Sequence, residues 1–240
     1  MNSNLNLSPE QKLQLYTFLS GFISENKKKK FEEIILQRTR YVTVVLEDIF
    51  QPHNASAVLR SCDVFGIQDV HIIENNNKYE INPDVALGST KWLSLYKYNK
   101  AENNTADCLQ HLKNSGYRII ATTPHKNDET PESLPLEDKI ALVFGTEMQG
   151  LTPAVLELAD GFVKIPMYGF TESLNISVSA ALLVRSITER LRNSQIPWQL
   201  SEEESLDIRI AWARNVVKRS DVVEREFLKR FTIEFRNLLL

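Results

Sequence analysis

The spacing of apolar residues changes several times along this chain. Between residues 8 and 40, Leu13, Leu15, Phe18, Leu19 and Phe22 form a helical stripe behind Pro9, a residue suited to a first turn, which predicts one or two helices. "YVTVVLEDI" (41–49) is a β-branched run and predicts a strand. In "NASAVLRSCDVFG" the period returns to helical at Ala55, Val58, Leu59, Cys62 and Phe65, and Gly66 ends the element. Pro52 forbids a helix before it, so Asn54 reads as a candidate N-cap. Further strands are predicted at "DVHIIE" (69–74), "YRIIATT" (117–123), "KIALVFG" (139–145) and "DGFVKIPM" (160–167). Helices are predicted at 105–116, with Thr105 as cap, in "AVLELA" behind Thr152 and Pro153, and from about Asn175 to Arg192.

This alternation predicts an α/β fold: a mostly parallel sheet with helices on both faces. The expected organisation is a helical extension over 1–40, the α/β domain over 41–195 and a second helical extension over 196–240. Sheets of this kind take ligands at the carboxyl ends of their strands. Three segments fall there: "EDIFQPHN", "FGTEMQG" and "IPMYGFTESLN".

Composition narrows the class. With 42% hydrophobic and 25% charged residues the chain reads as an ordinary globular protein. It has no apolar run of membrane-spanning length, and "MNSNLNLSPEQ" lacks the parts of a signal peptide, so a cytoplasmic location with no membrane partner is expected. Cys62 and Cys108 lie in separate helical patterns and suggest no disulfide framework, and the four histidines show no metal-site spacing, so no metal is expected. A net charge of −3 argues against indiscriminate coating of nucleic acid. Two local exceptions stand out: residues 25–40 carry six Lys/Arg against three Glu, and residues 207–240 carry eight against five Asp/Glu. Each can be a solvated helix face.

Each candidate segment has a plain structural reading. Asn54 can cap, and Arg60 can pair with Asp63. Gly145 and Gly150 can make tight turns and leave Glu147 in a loop, while Ser173 and Asn175 can cap the last core helix. These readings do not explain why three loops rich in glycine and polar residues gather at one sheet edge. "FGTEMQG" is neither a dinucleotide fingerprint nor a phosphate-binding loop.

Four stretches, "PHNASAVLRSCDVFG", "LVFGTEMQGL", "LADGFVKIPM" and "SLNISVSAAL", resemble in order and distance the motifs of the SPOUT-class RNA ribose 2′-O-methyltransferases, in particular the TrmH branch. "GSTKWLSL" (88–95) resembles another stretch of that branch, and the likeness runs from about Tyr41 to Arg192. It implies a deep trefoil knot in the C-terminal part of the sheet, a homodimer with active sites near the subunit interface, and S-adenosylmethionine as methyl donor. By motif match, Thr122, Gly145, Ile165, Met167, Ser173 and Leu174 hold the cofactor. Asn54, Ser173 and Asn175 shape the transfer site, and Glu147 lies near it. Arg60 is the family's activator of the ribose hydroxyl. A guanidinium stays protonated, so orienting the hydroxyl and stabilising developing charge suits it better than proton abstraction.

The basic segments then supply RNA contacts, with Lys27, Lys28, Lys29, Lys30, Arg214, Lys218 and Arg219 as candidates. The implied substrate is tRNA guanosine-18 in the D-loop. Glu172 stands where the D-loop enzymes carry Gln before "SLN", which leaves an rRNA 2′-O-methyltransferase as the second reading and a non-catalytic knotted RNA-binding dimer as the third.

Overall fold

The computed structural model describes residues 7–80, 82–123, 129–146 and 149–237. In chain order the elements are α1 (Pro9–Ser20), α2 (Glu25–Ile35), β1 (Val42–Glu47), α3 (Pro52–Val64), β2 (Asp69–Ile73), α4 (Pro83–Ala86), a 3₁₀ turn (Ser89–Lys91), β3 (Ser94–Tyr98), α5 (Asn104–Asn114), β4 (Tyr117–Thr122), β5 (Lys139–Phe144), α6 (Pro153–Leu158), β6 (Gly161–Val163), α7 (Ile176–Arg192), α8 (Glu202–Val216) and α9 (Ser220–Asn237). They divide into two compact units: Thr39–Gln199, and Met1–Arg38 together with Leu200–Leu240.

The first unit is the expected α/β layer structure. Its six strands run in the order β3-β2-β1-β5-β4-β6, and every pairing is parallel. Alternation along β1 serves both faces of the sheet. Val42, Val44 and Leu46 cluster with Ala55, Val58, Leu59 and Cys62 of α3 and with Leu183, Val184 and Ile187 of α7. Val45 turns the other way, into a cluster with Cys108, Leu109 and Leu112 of α5 and Val155 of α6. A strand buried on both faces is mostly apolar, with Thr43 and Glu47 of β1 tolerated because both are hydrogen-bonded, which is why these runs stood out in the sequence. Both cysteines are buried thiols, and no described helix is long and apolar enough to cross a membrane.

Several elements differ from expectation. β3, "SLYKY", was not predicted; it is an edge strand paired with β2, none of its residues is buried and Tyr96 and Lys97 are exposed, so the apolar signal is diluted. The run "DGFVKIPM" forms a strand only over Gly161–Val163; Lys164 N–H turns instead to the carbonyl of Glu129. α5 is capped by Asn103, whose side chain accepts from Ala106 N–H, rather than by Thr105. α3 begins at Pro52 with Gln51 as N-cap, so Asn54 lies inside the first turn and does not cap the helix.

The second unit is helical. Ser8 with Gln11 and Ser201 with Glu204 form capping boxes that open α1 and α8. Leu15 and Leu19 are buried, the rings of Phe31 and Trp212 stand 5.3 Å apart, and those of Phe18 and Phe227 5.5 Å. The long C-terminal helical pattern is broken between α8 and α9, where Val217 is extended and Arg219 takes a positive φ of 55°.

Two groups on the α/β unit make its stability depend on pH. His71 on β2 is buried, with Nδ1 3.1 Å from the Tyr98 hydroxyl. Burial, helped by the nearby His111, pushes its pKa down from 6.5 to about 4. Asp48, in the turn after β1, has a positive φ of 56°. Burial opposes its ionisation, but backbone N–H groups of Asn77, Asn76 and Asn75 and the Asn76 amide donate to its carboxylate and hold its pKa below the usual value. For His71 the unfolded chain takes up a proton below pH 6.5 that the folded chain refuses until about pH 4. Stability present above pH 6.5 is therefore lost on acidification across that window, by on the order of 3 kcal/mol. Asp48 acts in the same direction at lower pH. Unfolding free energy measured by urea titration is expected to fall from pH 6.5 towards 4, and His71→Gln to flatten the fall; an unchanged slope in that variant contradicts the assignment.

Candidate active site

The carboxyl ends of β4, β5 and β6 open into a cavity of about 600 Å³. Thr122 and Thr123 line it from β4, Phe144 and Gly145 from β5, and Val163, Lys164 and Ile165 from β6. Two loops complete the wall: Gly145, Thr146, Gln149, Gly150 and Leu151 on one side, and Met167 with Ser173, Leu174 and Asn175 on the other. The size suits a cofactor-sized ligand.

The first loop is closed by its own backbone. Thr146 N–H donates to the carbonyl of Gly150 at 2.9 Å, and Gly150 N–H returns to the carbonyl of Thr146 at 3.0 Å. This closure leaves no room for a side chain at Gly145: a Cβ there would lie 2.2 Å from the Gly150 carbonyl oxygen and 2.5 Å from Leu151 N. Gly150 itself sits at φ +70°, in the left-handed region that favours glycine. The loop ends at Thr152, the N-cap of α6, and Thr152 is tied to the sheet by a fully buried carboxylate. Glu47, the last residue of β1, accepts from Thr152 N–H at 3.0 Å, from the Thr152 hydroxyl at 2.7 Å and from the Thr105 hydroxyl at 2.8 Å. Sequence reasoning missed Glu47; its only signal was an acidic residue ending a strand that is otherwise apolar but for Thr43.

The second loop leads into α7. Asn175 is the N-cap of that helix, and its Oδ1 accepts from Ser177 N–H at 2.9 Å and from the Ser177 hydroxyl at 2.6 Å. Its amide Nδ2 donates to Asn54 Oδ1 at 3.1 Å, and Asn54 Nδ2 donates to Gln51 Oε1 at 3.0 Å. Gln51 and Asn54 at the start of α3 thus meet Asn175 at the start of α7 on the wall of one cavity.

Of the residues expected at the site, Asn54, Thr122, Gly145, Ile165, Met167, Ser173, Leu174 and Asn175 all line this cavity. Glu147 lies outside the described residues. Arg60 does not line the cavity; it is exposed on α3 and has no hydrogen bond or ion pair among the described residues. The basic candidates lie in the helical unit. Lys28 pairs with Glu25 at 2.7 Å, Lys29 with Glu33 at 3.9 Å, and Arg214 with Glu224. Among the described residues no three His, Cys, Asp or Glu side chains gather as metal ligands do.

A parallel sheet whose glycine-closed loop and polar loop frame a pocket at its carboxyl edge defines an α/β protein built to hold a nucleotide-sized ligand. The chain belongs to the SpoU rRNA Methylase family, whose model matches residues 41–185. It is 46% identical over 206 residues to a tRNA (guanosine(18)-2′-O)-methyltransferase of Borreliella burgdorferi, a match that covers 86% of this chain and 93% of that one. The crystal structure of the A. aeolicus TrmH/SpoU tRNA modifying enzyme superposes with a TM-score of 0.71 at 30% identity, over 81% of this chain and 98% of the other. AviRb of Streptomyces viridochromogenes, solved in complex with the cofactor AdoMet, shares the fold at a TM-score of 0.55 and 19% identity, over 68% of this chain and 62% of that one.

Proposed function

We propose that the protein transfers a methyl group from S-adenosylmethionine to a ribose 2′-hydroxyl of tRNA, at guanosine-18 of the D-loop. The observation that carries this reading is the single cavity where the loops Gly145–Leu151 and Met167–Asn175 meet Asn54, together with 46% identity to a relative named for that reaction. The cavity suits the donor: Leu151, Leu156, Val163, Ile165 and Met167 offer apolar surface to a flat base, and Thr122, Thr123 and Ser173 offer hydroxyls. Gly145 and Gly150 let main-chain groups approach the ligand without a side chain between.

When bound, S-adenosylmethionine supplies an electrophilic methyl group on a sulfonium. The chain's own residues position the acceptor. The Asn54–Asn175 amide pair presents fixed donors and acceptors to the ribose, and holding the hydroxyl aligned supplies several kcal/mol of the rate. The guanidinium of Arg60 orients the hydroxyl and stabilises charge developing on its oxygen. Because Arg60 stands outside the cavity of its own chain, the working form is a homodimer in which a second copy delivers this side chain. Leu174, Val178 and Leu182, apolar yet exposed around the start of α7, supply the face for that copy. Threading of the 167–175 loop through the 145–151 loop, the trefoil knot of the class, accounts for two distant segments sharing one wall. The same reading makes the protein cytoplasmic.

The tRNA body is held through phosphates by the helical unit. Arg214 is engaged with Glu224; the other candidates for this role include Lys27, Lys30, Lys218 and Arg219. Replacing all four by Gln is expected to weaken tRNA binding and to reduce the slope of log K against log[salt] by roughly three to four. Filter binding across a salt series reads this directly, and an unchanged slope returns the four residues to plain solvation.

Mapping ribose methylation in total RNA from a strain lacking this gene tests the function. Loss of 2′-O-methylguanosine at position 18 of tRNA is expected. Loss at an rRNA ribose moves the substrate to rRNA, and an unchanged map overturns the reading.

A further inference from the structure

We infer that Gln51 is a positioning residue, which fixes through a directed chain of side-chain amides the orientation that Asn54 presents to the ribose; the inference rests on the ribose-methylation reading above. Gln51 is the N-cap of α3, yet its side chain makes no capping bond. Its Oε1 instead accepts from Asn54 Nδ2 at 3.0 Å.

The direction of the chain is set at its far end. A backbone N–H can only donate, so Ser177 N–H at 2.9 Å identifies Asn175 Oδ1 as the acceptor end of that amide. Asn175 Nδ2 therefore faces Asn54 with a donor, and Asn54 answers with Oδ1 at 3.1 Å. Asn54 Nδ2 is left pointing at Gln51, which must offer an oxygen. Turning the Asn54 amide over would set donor against donor at Asn175, and Gln51 would face an acceptor with its oxygen or have to turn its own amide as well. Asn54 is only 2% exposed, so water cannot compensate for either mismatch. Gln51 thus supplies the acceptor that holds the Asn54 amide from its other end. All three amides line the cavity, so an error in this chain is felt where the acceptor is aligned rather than in the core.

Two variants separate positioning from mere support. Gln51→Met keeps length and removes the acceptor; Gln51→Glu keeps an acceptor at the same reach. In Gln51→Met, kcat for tRNA methylation is expected to fall about tenfold, as for one lost orienting hydrogen bond. The Kd for S-adenosylmethionine and the KM for tRNA are expected to stay within about twofold, and Gln51→Glu to recover most of kcat. Wild-type kcat in Gln51→Met, or equal losses in both variants, overturns the inference. A second measurement needs no turnover. By nuclear magnetic resonance, the Asn54 side-chain amide protons of the free protein are expected to exchange with water faster in Gln51→Met and at the wild-type rate in Gln51→Glu. Equal exchange in all three proteins overturns the amide chain itself. If wild-type protein fails to methylate ribose, the functional reading falls, and the exchange data still judge the amide chain.

Discussion

Gly145→Ala is expected to abolish measurable binding of S-adenosylmethionine while leaving a folded protein. The added methyl meets main-chain atoms, with the Gly150 carbonyl oxygen at 2.2 Å and its carbon at 2.3 Å, so no rotamer change relieves the clash. The reciprocal Thr146–Gly150 bonds must break, or the strand end must shift, for the side chain to fit. Overpacking of this kind costs about 1–3 kcal/mol. The distortion falls on the wall of the cavity, and 3 kcal/mol lost from binding is more than a hundredfold in Kd. In a protein of this length the same energy taken from stability lowers Tm by about 6–12 °C. Calorimetric titration and thermal unfolding on one preparation read both effects. Wild-type affinity in this variant would mean that the 145–151 loop does not shape the donor site.

Arg60→Ala is expected to lower kcat by on the order of 10²–10³, the range seen when one donor to a developing oxyanion is removed. Nothing else should change. Arg60 is exposed and makes no hydrogen bond or ion pair among the described residues, so Tm and cofactor affinity should match the wild type. That separation makes the experiment informative: activity lost at unchanged Tm and cofactor affinity places the role of Arg60 on the acceptor side of the reaction. Arg60→Lys keeps the charge but loses the planar fork and should recover little. Near-wild-type turnover with Lys would reject bidentate positioning by the guanidinium.

How far the sequence could be read depended on how local each signal was. β1 and β5 are buried on both faces and declared themselves as β-branched runs, and the Thr152–Pro153 start of α6 is a short-range capping signal. β3 was invisible because, as an edge strand, it buries none of its residues. "DGFVKIPM" looks like a strand throughout because its apolar residues continue past Val163 into the cavity wall. For a chain leaving a sheet to bury a ligand, the hydrophobic pattern cannot tell strand from pocket. The first turn of α3 was misread for a different reason: Asn is a common N-cap and Gln is not, yet Pro52 at the first helical position places the cap on Gln51.

The site shows the same division. Glycine at 145 and 150 and the polar run before α7 marked the two loops, and motif resemblance joined them to Asn54. What the sequence could not carry was the joining itself. Asn54 Oδ1 meets Asn175 Nδ2 across 121 positions of chain, and Glu47 meets Thr152 across 105. Gln51 had no signal at all, because its partner is oriented by residues at the other end of the domain. Nor could the sequence show that Arg60 lies off the cavity of its own chain, the observation on which the proposed second copy rests.

The most direct measurement is transfer itself. Purified protein is incubated with unmodified tRNA and S-adenosylmethionine carrying a deuterated methyl group, and the RNA is digested to nucleosides and short fragments for mass spectrometry. Label in 2′-O-methylguanosine, confined to the fragment that holds guanosine-18, is the expected result. Label on a base, or no label while the protein still binds the tRNA, would contradict the assignment of this cavity to ribose methylation.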